Sequence, residues 1–417
     1  MPAERARPGD GRPPLVLHVV QPVAGGVAQV VTDLVRAHAS GPDAVRTAVA
    51  CPAGGPLAAA AVRAGASHLE WAATRSPGPG LAGEVRSLAR VLRAVRPDLV
   101  HAHSAKAGLV ARLAVRGRVP TVFQPHAWSF EAVDGPLGAL SLRWERYGAR
   151  WAHRIVCVSE AERRRGAAAG VRGRWVVVPN GVDTLRHRPA EEDAPVRGAG
   201  GAPVSAGASP APHSAREARR ALPALADVPP DVPLVVCVAR LCHQKGQDLL
   251  LRAWPEVLRA VPGARLVLVG DGPAGAALRA AAPAQVLFAG AADDPCPWYR
   301  AADLVVLPSR WEGMALAPLE ALACGRPVLL TEVDGARESL PPGHAPHCLV
   351  PAEDPGALAR ATVGLLLDAD RRAALGRAGR RHVLTTHDVR HSAEAVAAVY
   401  RGLLGTERTQ CRESITS

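Results

Sequence analysis

The chain is short of several residue types, and each shortage removes a class of function. Aromatic residues are only 3% of the 417 positions, and no helix-turn-helix, zinc-finger or aromatic RNA-binding pattern accompanies them, so nucleic acid ranks last among partners. Lysine occurs twice, as Lys106 and Lys245, beside 48 arginines. A bias this strong has replaced Lys wherever charge alone suffices, which makes the two that persist candidates for specific roles. No run of eighteen apolar residues occurs, and the opening MPAERARPGDGRPP has no apolar core of the kind a secretory leader needs, so a cytoplasmic location is expected. The eight Cys form no C-x-x-C pair and most fall in apolar stretches, reading as buried thiols rather than a disulfide frame or a zinc site.

What is present is two domains' worth of chain with a lopsided charge. Residues 1–189 carry 26 Lys and Arg against 13 Asp and Glu, a balance of +13, whereas residues 190–417 carry 24 against 25. A basic half suits a phosphorylated substrate or an anionic membrane surface. Arg143, Arg146, Arg150 and Arg154, with Trp144, Tyr147 and Trp151 alongside, share one side of an expected helix and offer such a surface, as do Arg163 to Arg165.

Apolar runs alternate with helical periods throughout. In the first half, strands are expected at 15–20, 45–51, 68–72, 98–103, 119–124, 153–158 and 174–179, with helices at 27–38, 56–65, 81–95, 106–116, 138–151 and 160–169. Strands separated by helices of this length form right-handed parallel units, and ligands of such sheets bind at the carboxyl ends of the strands. Several residues fall there: Gly25 and Gly26 after the first strand, His101 and His103 at the end of the fourth, Lys106 opening the next helix and able to reach an anionic acceptor, and His126 after the fifth. The His101-x-His103 pair has no carboxylate pattern beside it and is not read as a metal site. Asn180-Gly-Val-Asp183 reads as a structural turn. Residues 190–214, rich in Ala, Gly, Pro and Ser, read as a flexible insertion between domains.

In the second half, strand 234–238 leads into Ala239-Arg-Leu-Cys-His-Gln-Lys-Gly246, and strand 303–307 into PSRWEGMALAPLEALACG, residues 308–325. The first free N–H groups of a helix favour anions, so the Gly313-Met314-Ala315 turn is a candidate phosphate cradle. Glu312 stands at its mouth, and Glu320 lies five residues past Ala315, roughly 8 Å along the axis. The string resembles the donor-site signature of the family 4 retaining glycosyltransferases, which have the GT-B fold. The resemblance spans about Leu15 to Leu404 apart from the insertion. It departs at Met314-Ala315, where many members have Phe-Gly, and at Ala239, where they have Gly.

The resemblance implies an α/β GT-B protein: two Rossmann-like doubly wound domains facing a central cleft, over 14–187 and 215–387, and a last helix, 388–405, that crosses back to the first domain. It implies a nucleotide-sugar donor, UDP- or GDP-linked, and a hydroxyl acceptor, lipid-linked in one reading, in cell-envelope polysaccharide or glycoconjugate synthesis. Its site residues carry over as His126, touching the donor sugar; Arg240 and Lys245, gripping the diphosphate; Glu312 on the sugar hydroxyls and Glu320 on the ribose. The amides of Gly313, Met314 and Ala315 would hold the diphosphate, Gly25 and Gly26 would face it, and the backbone of Gly290 and Ala291 would meet the base. Arg and Lys stand in for a metal, so none is expected, and no cofactor. Two other readings remain: an NAD-dependent oxidoreductase using Gly270-Asp-Gly-Pro-Ala-Gly275 with Asp293 and Asp294 after it, and a non-catalytic scaffold of the same fold.

Overall fold

The structure, a computed structural model, describes residues 12–39, 44–75, 78–190 and 212–413. The chain forms two compact units, one running to Pro179 and resuming at Arg390, the other spanning Asn180–Val389. Residues 191–211, most of the expected insertion, lie outside the described residues, as do 1–11 of the leader.

Unit 1 runs β1 Leu15–Val20, α1 Gly26–His38, β2 Arg46–Cys51, α2 Pro56–Arg63, β3 Ser67–Glu70, α3 Leu81–Val95, β4 Leu99–His103, α4 Ser104–Val115, β5 Thr121–Gln124, α5 Gly135–Gly148, β6 Arg154–Cys157, α6 Glu160–Ala168 and β7 Trp175–Val177. Its strands make one parallel sheet in the order β3-β2-β1-β4-β5-β6-β7. On one face Leu17, Val100 and Ala102 pack with Leu88 of α3 and Val110 of α4. On the other, Val16 and Leu99 pack with Leu34 of α1 and with Ala393, Val396, Tyr400 and Leu403, which line one side of the last helix, α15 Val389–Glu413. These side chains are almost wholly buried, and each such Leu or Val contributes about 1.5–3 kcal/mol.

Unit 2 runs α7 Pro212–Arg220, β8 Leu234–Val238, α8 Gln247–Ala260, β9 Arg265–Val269, α9 Gly275–Ala281, β10 Val286–Gly290, α10 Cys296–Ala301, β11 Leu304–Leu307, α11 Leu316–Ala323, β12 Val328–Thr331, α12 Ala345–Cys348, β13 Leu349–Val350, α13 Pro355–Leu367 and α14 Ala369–Thr386. Its parallel sheet has the order β10-β9-β8-β11-β12-β13. Arg219 of α7 bonds Asp303 at 2.6 Å, and the same Asp303 oxygen accepts from Leu234 N at 2.7 Å, pinning the starts of β8 and β11 side by side. One expectation is corrected here: the first helix of this unit begins at Pro212, inside the expected insertion.

Candidate active site

In each sheet the chain reverses its direction of strand addition once, between β1 and β4 in unit 1 and between β8 and β11 in unit 2. Loops leaving the carboxyl ends of two such strands diverge to opposite faces and leave a crevice, the usual ligand position in this architecture. In unit 2 those loops are 239–246 after β8 and 308–315 after β11, the two segments that carry Arg240, Lys245 and Glu312.

The two loops are bound to each other. Gly246 is left-handed, φ 65°, and a Cβ there would lie 1.9 Å from Pro308 O, so only glycine lets the segments approach this closely. Arg310 N donates to Gln244 O at 2.8 Å, Gln244 Nε2 to Trp311 O at 3.0 Å, and the Arg310 guanidinium to His243 O while gripping both oxygens of Asp248 at 2.7 Å. On this frame Lys245 Nζ pairs with Glu312 Oε1, which also accepts from Ser309 Oγ at 2.7 Å. Arg240 is half-buried, and among the described residues no carboxylate pairs with its guanidinium. The loop after β8 thus carries, among the described residues, a cation with no carboxylate partner, and the loops together carry a Lys–Glu pair, a charge pattern that suits an anion.

The turn between Glu312 and α11 is held from two sides. Asn180 Nδ2 donates to Met314 O at 2.8 Å, and Gly335, at φ 74°, comes so close that a Cβ would sit 2.1 Å from Gly313 O. Ala315 is the N-cap of α11 and its side chain supplies no cap. On the second turn of α11, Glu320 is 9% exposed, and its Oε2 accepts from Tyr299 Oη of α10 at 2.6 Å. Burial, and the Glu320 charge beside it, push the Tyr299 hydroxyl well above its ordinary value, so it stays a donor. Gly290 ends β10 at φ 75° with open space where a Cβ would be, its carbonyl accepts from Gly270 N at 2.7 Å, and Ala291 after it is exposed.

In unit 1, Gly25 caps α1 with φ 81° and ψ −166°, a combination essentially confined to glycine, and Gly26 opens the helix. His126 and Ala127 follow β5 with φ 55° and 96°, and Ser104 after β4 has φ 72°. Left-handed backbone at non-glycine residues costs of order 1–3 kcal/mol each and gathers at functional sites. Glu162, wholly buried, holds the His126 turn: its Oε1 accepts from Ala127 N at 2.6 Å, its Oε2 from Val158 N at 2.7 Å, and its carbonyl from Trp128 Nε1.

Behind His126 lies a row of imidazoles. His126 Nε2 shares a hydrogen bond with His103 Nδ1 at 3.2 Å, His103 Nε2 shares one with His18 Nδ1 at 3.1 Å, and His101 Nδ1 shares one with Tyr400 Oη at 2.6 Å. His18, His101 and His103 have nitrogens within 4.8 Å of one another and are fully buried. None of the three brings a negative charge, so a dication among them would be buried uncompensated, and two of the nitrogens are already engaged with each other. The trio fits a hydrogen-bonded row better than a metal centre. Burial lowers His18 and His126 to about 3 and lowers His101 and His103 as well, so all four rings are neutral near neutral pH.

Lys106 departs from expectation. Its ammonium is 4% exposed and pairs with Glu84 Oε2 at 2.6 Å, turned into the α3–α4 packing rather than toward an acceptor. The dinucleotide reading of Gly270 to Gly275 is also overturned. A Cβ at Gly270 would lie 2.0 Å from Ala239 O and one at Gly272 2.4 Å from Leu241 O, so these glycines seat the loop against the Arg240 segment. Sequence reasoning passed over Tyr299, Ser309, Glu162 and Gly335. The chain signal for Glu162 was the capping pattern Ser159-x-x-Glu162, whose Ser159 Oγ accepts from Glu162 N at 3.0 Å.

Two parallel Rossmann-like sheets of this order are those of GT-B glycosyltransferases. The structure of Anabaena Alr3699/HepE in complex with UDP and glucose matches over 93% of this chain and 100% of that one, with TM-score 0.75 and 22% identity. The models for Glycosyltransferase Family 4 and Glycosyl transferases group 1 match residues 24–186 and 232–368. The lipopolysaccharide core biosynthesis mannosyltransferase LpsB of Rhizobium meliloti is 31% identical over 58% of this chain and 67% of its own. A D-inositol 3-phosphate glycosyltransferase of Acidothermus cellulolyticus is 31% identical over 77% of this chain and 70% of its own. Two further mannosyltransferase relatives align over about half of their length, 53% and 48%. The chain belongs to glycosyltransferase family 4.

Proposed function

We propose that the protein is a retaining, metal-independent glycosyltransferase that moves a sugar from a UDP- or GDP-sugar to a hydroxyl of an envelope glycolipid or polysaccharide. The observation that carries this reading is the convergence of Arg240, Lys245 and the Gly313–Ala315 turn at the β8/β11 crevice, where a diphosphate would meet two cations and a helix N-terminus. Glu320 takes the ribose hydroxyls and Glu312 the sugar hydroxyls, each as acceptor; His126 is assigned to the sugar, Gly25 and Gly26 to the phosphate, Gly290 and Ala291 to the base. In the reaction the bond from the anomeric carbon to the diphosphate oxygen breaks as the acceptor oxygen bonds the same carbon on the same face. The acceptor proton passes to the departing diphosphate. Arg240 and Lys245 stabilise the charge that grows there. The names of the mannosyltransferase and inositol phosphate relatives support an envelope or inositol-based acceptor.

The test is a panel of UDP- and GDP-sugars scored first by thermal stabilisation and then, with candidate acceptors and with chelator present, by nucleoside diphosphate released and by the anomeric configuration of the product. Inverted configuration, or loss of activity in chelator, contradicts the reading.

The basic side of unit 1 supports docking on an anionic membrane. Along α5, Leu137, Leu140 and Tyr147 are 66%, 62% and 52% exposed, flanked by exposed Arg143, Arg146 and Arg150, the last stacked 3.3 Å over Tyr147. Apolar residues beside a row of guanidinium groups are the arrangement of an interfacial helix, each cation near anionic lipid contributing about 1 kcal/mol. Some of the expected charges are committed elsewhere: Arg154 is half-buried in β6, Arg163 and Arg164 pair with Glu160, and Arg165 pairs with Glu131. Among the described residues no helix is long and apolar enough to cross a membrane. Co-sedimentation with vesicles of graded anionic content should fall with salt and with Leu137→Glu; binding indifferent to lipid charge contradicts docking.

A further inference from the structure

We infer that His103 and His18 are positioning residues for His126: their row holds His126 Nε2 as an inward-facing acceptor and leaves its Nδ1–H outward to donate to a ligand oxygen. The inference deepens the sugar contact assigned to His126 and rests on it for its catalytic meaning, but the proton arrangement is set by the protein alone.

The argument is a count of ring protons. His126, His103 and His18 are joined by two hydrogen bonds, 3.2 and 3.1 Å long, and each neutral ring has one N–H. Each bond needs one donor and one acceptor, so the row can run in only two directions. In one, His126 donates inward to His103, His103 donates to His18, and the His18 proton is left on Nε2. That atom is fully buried and, among the described residues, meets no hydrogen-bond partner. A buried N–H with nothing to donate to is rarer in folded proteins than an acceptor left with an unused lone pair. In the other direction His18 Nδ1–H donates to His103 Nε2, His103 Nδ1–H donates to His126 Nε2, and the atom left over at His18 is a bare lone pair. The second direction therefore prevails, and the single proton of His126 sits on Nδ1.

The strand geometry makes the row stiff. His18 on β1 is directly opposite His101 on β4, two residues before His103 on the same face. The His101 and His103 rings lie 3.9 Å apart, centroid to centroid, and Tyr400 of α15 closes the far side of His101. His126 is thus tied through side chains to β4 and β1, while Glu162 of α6 holds the amide of the next residue, Ala127. A ring held at both ends has one tautomer and one orientation to offer a substrate, which lowers the ordering cost at binding.

The experiment is nitrogen-15 spectroscopy of histidine rings in the full chain, with His126 identified among the 15 His by its loss in His126→Gln. In the wild type His126 is expected to show a protonated-type Nδ1 and a bare-type Nε2 at neutral pH without substrate. His18→Phe removes the donor at the end of the row, and the His126 resonances should then move toward an average of the two tautomers. His18→Gln, whose amide can still donate to His103, should keep the wild-type pattern. His103→Gln is expected to raise the donor KM about tenfold, the worth of one hydrogen bond, with kcat changed less. A proton on Nε2, a cationic ring, or a His126 pattern that ignores His18→Phe in a folded protein overturns the inference. Because the wild-type spectrum needs no substrate and His126→Gln serves only to assign it, the test fails or succeeds separately from glycosyl transfer.

Discussion

Tyr299 donates its hydroxyl to Glu320 Oε2 across 2.6 Å, with both side chains shielded from solvent and neither on the same helix as the other. A short bond to a carboxylate fixes which oxygen stays available, and the remaining Oε1 faces His187 at 4.0 Å. Tyr299→Phe should therefore weaken nucleoside diphosphate binding about tenfold while Glu320→Gln weakens it more, each with the fold retained. Calorimetric titration with UDP and GDP measures both, and an affinity that ignores Glu320→Gln would detach this residue from the ribose.

The glycines of the two loop segments, Gly246 in unit 2 and Gly25 in unit 1, divide by what a methyl group would meet. Gly246→Ala combines a left-handed backbone with a Cβ 1.9 Å from Pro308 O, whereas Gly25→Ala meets nothing within 4 Å and bears the backbone strain alone. The first is expected to lower the melting temperature by several degrees, and the second by less, each left-handed placement costing about 1–2 kcal/mol. Equal shifts in a thermal melt would show that the two loops part to admit the methyl.

Lys106 is expected to matter for stability. Burial drives the Glu84 carboxyl up, but Lys106 and two hydrogen bonds from Thr74 outweigh it and hold the carboxyl below its ordinary value. The stabilisation is present above the unfolded value of about 4.3 and is lost as pH falls through the lower folded one. Lys106→Met leaves Glu84 buried and unpaired and should cost about 3–5 kcal/mol, with Glu84→Gln added to it recovering a large part. Denaturant unfolding measures the pair. A Lys106→Met protein of full stability that has lost only acceptor binding would return this residue to the site.

The imidazole row predicts a pH dependence of the opposite origin. His18 and His126 titrate near 3 when folded, and burial lowers His101 and His103 too, while all four take up protons near 6.5 when unfolded. Below 6.5 the unfolded chain binds more protons, so stability is full above that pH and falls as pH drops toward 3, by up to about 1.4 kcal/mol per pH unit for each ring. His18→Phe should reduce the slope of stability against pH between 6 and 4 by about one proton's worth. An unchanged slope would mean that His18 is protonated in the fold.

The sequence by itself determined what repeats locally. All seven strands of unit 1 lie within a few residues of where apolar runs put them, because alternation and helical period are properties of a few consecutive residues. The Glu312–Glu320 string and the Arg240–Lys245 element were legible for the same reason, each being contained in one loop and the start of its helix. The short helices α9, α10 and α12 were not, since seven, six and four residues are too few to show a period. Tertiary structure alone decided the remainder. Glu162 meets Ala127 across 35 residues, Tyr299 meets Glu320 across 21, and Asn180 meets the Met314 carbonyl across 134. Asp388, at the expected start of the last helix, gains in the fold the Thr184 hydroxyl, which it accepts at 2.5 Å, and a bridge to Val182. Lys106 looked available because a lysine at the start of a helix is ordinarily solvated, and only the packing of α3 on α4 brings Glu84 to it. A hydrogen bond or ion pair that closes over a long stretch of chain leaves no spacing to read, because its partners become neighbours only when the sheet between them has formed.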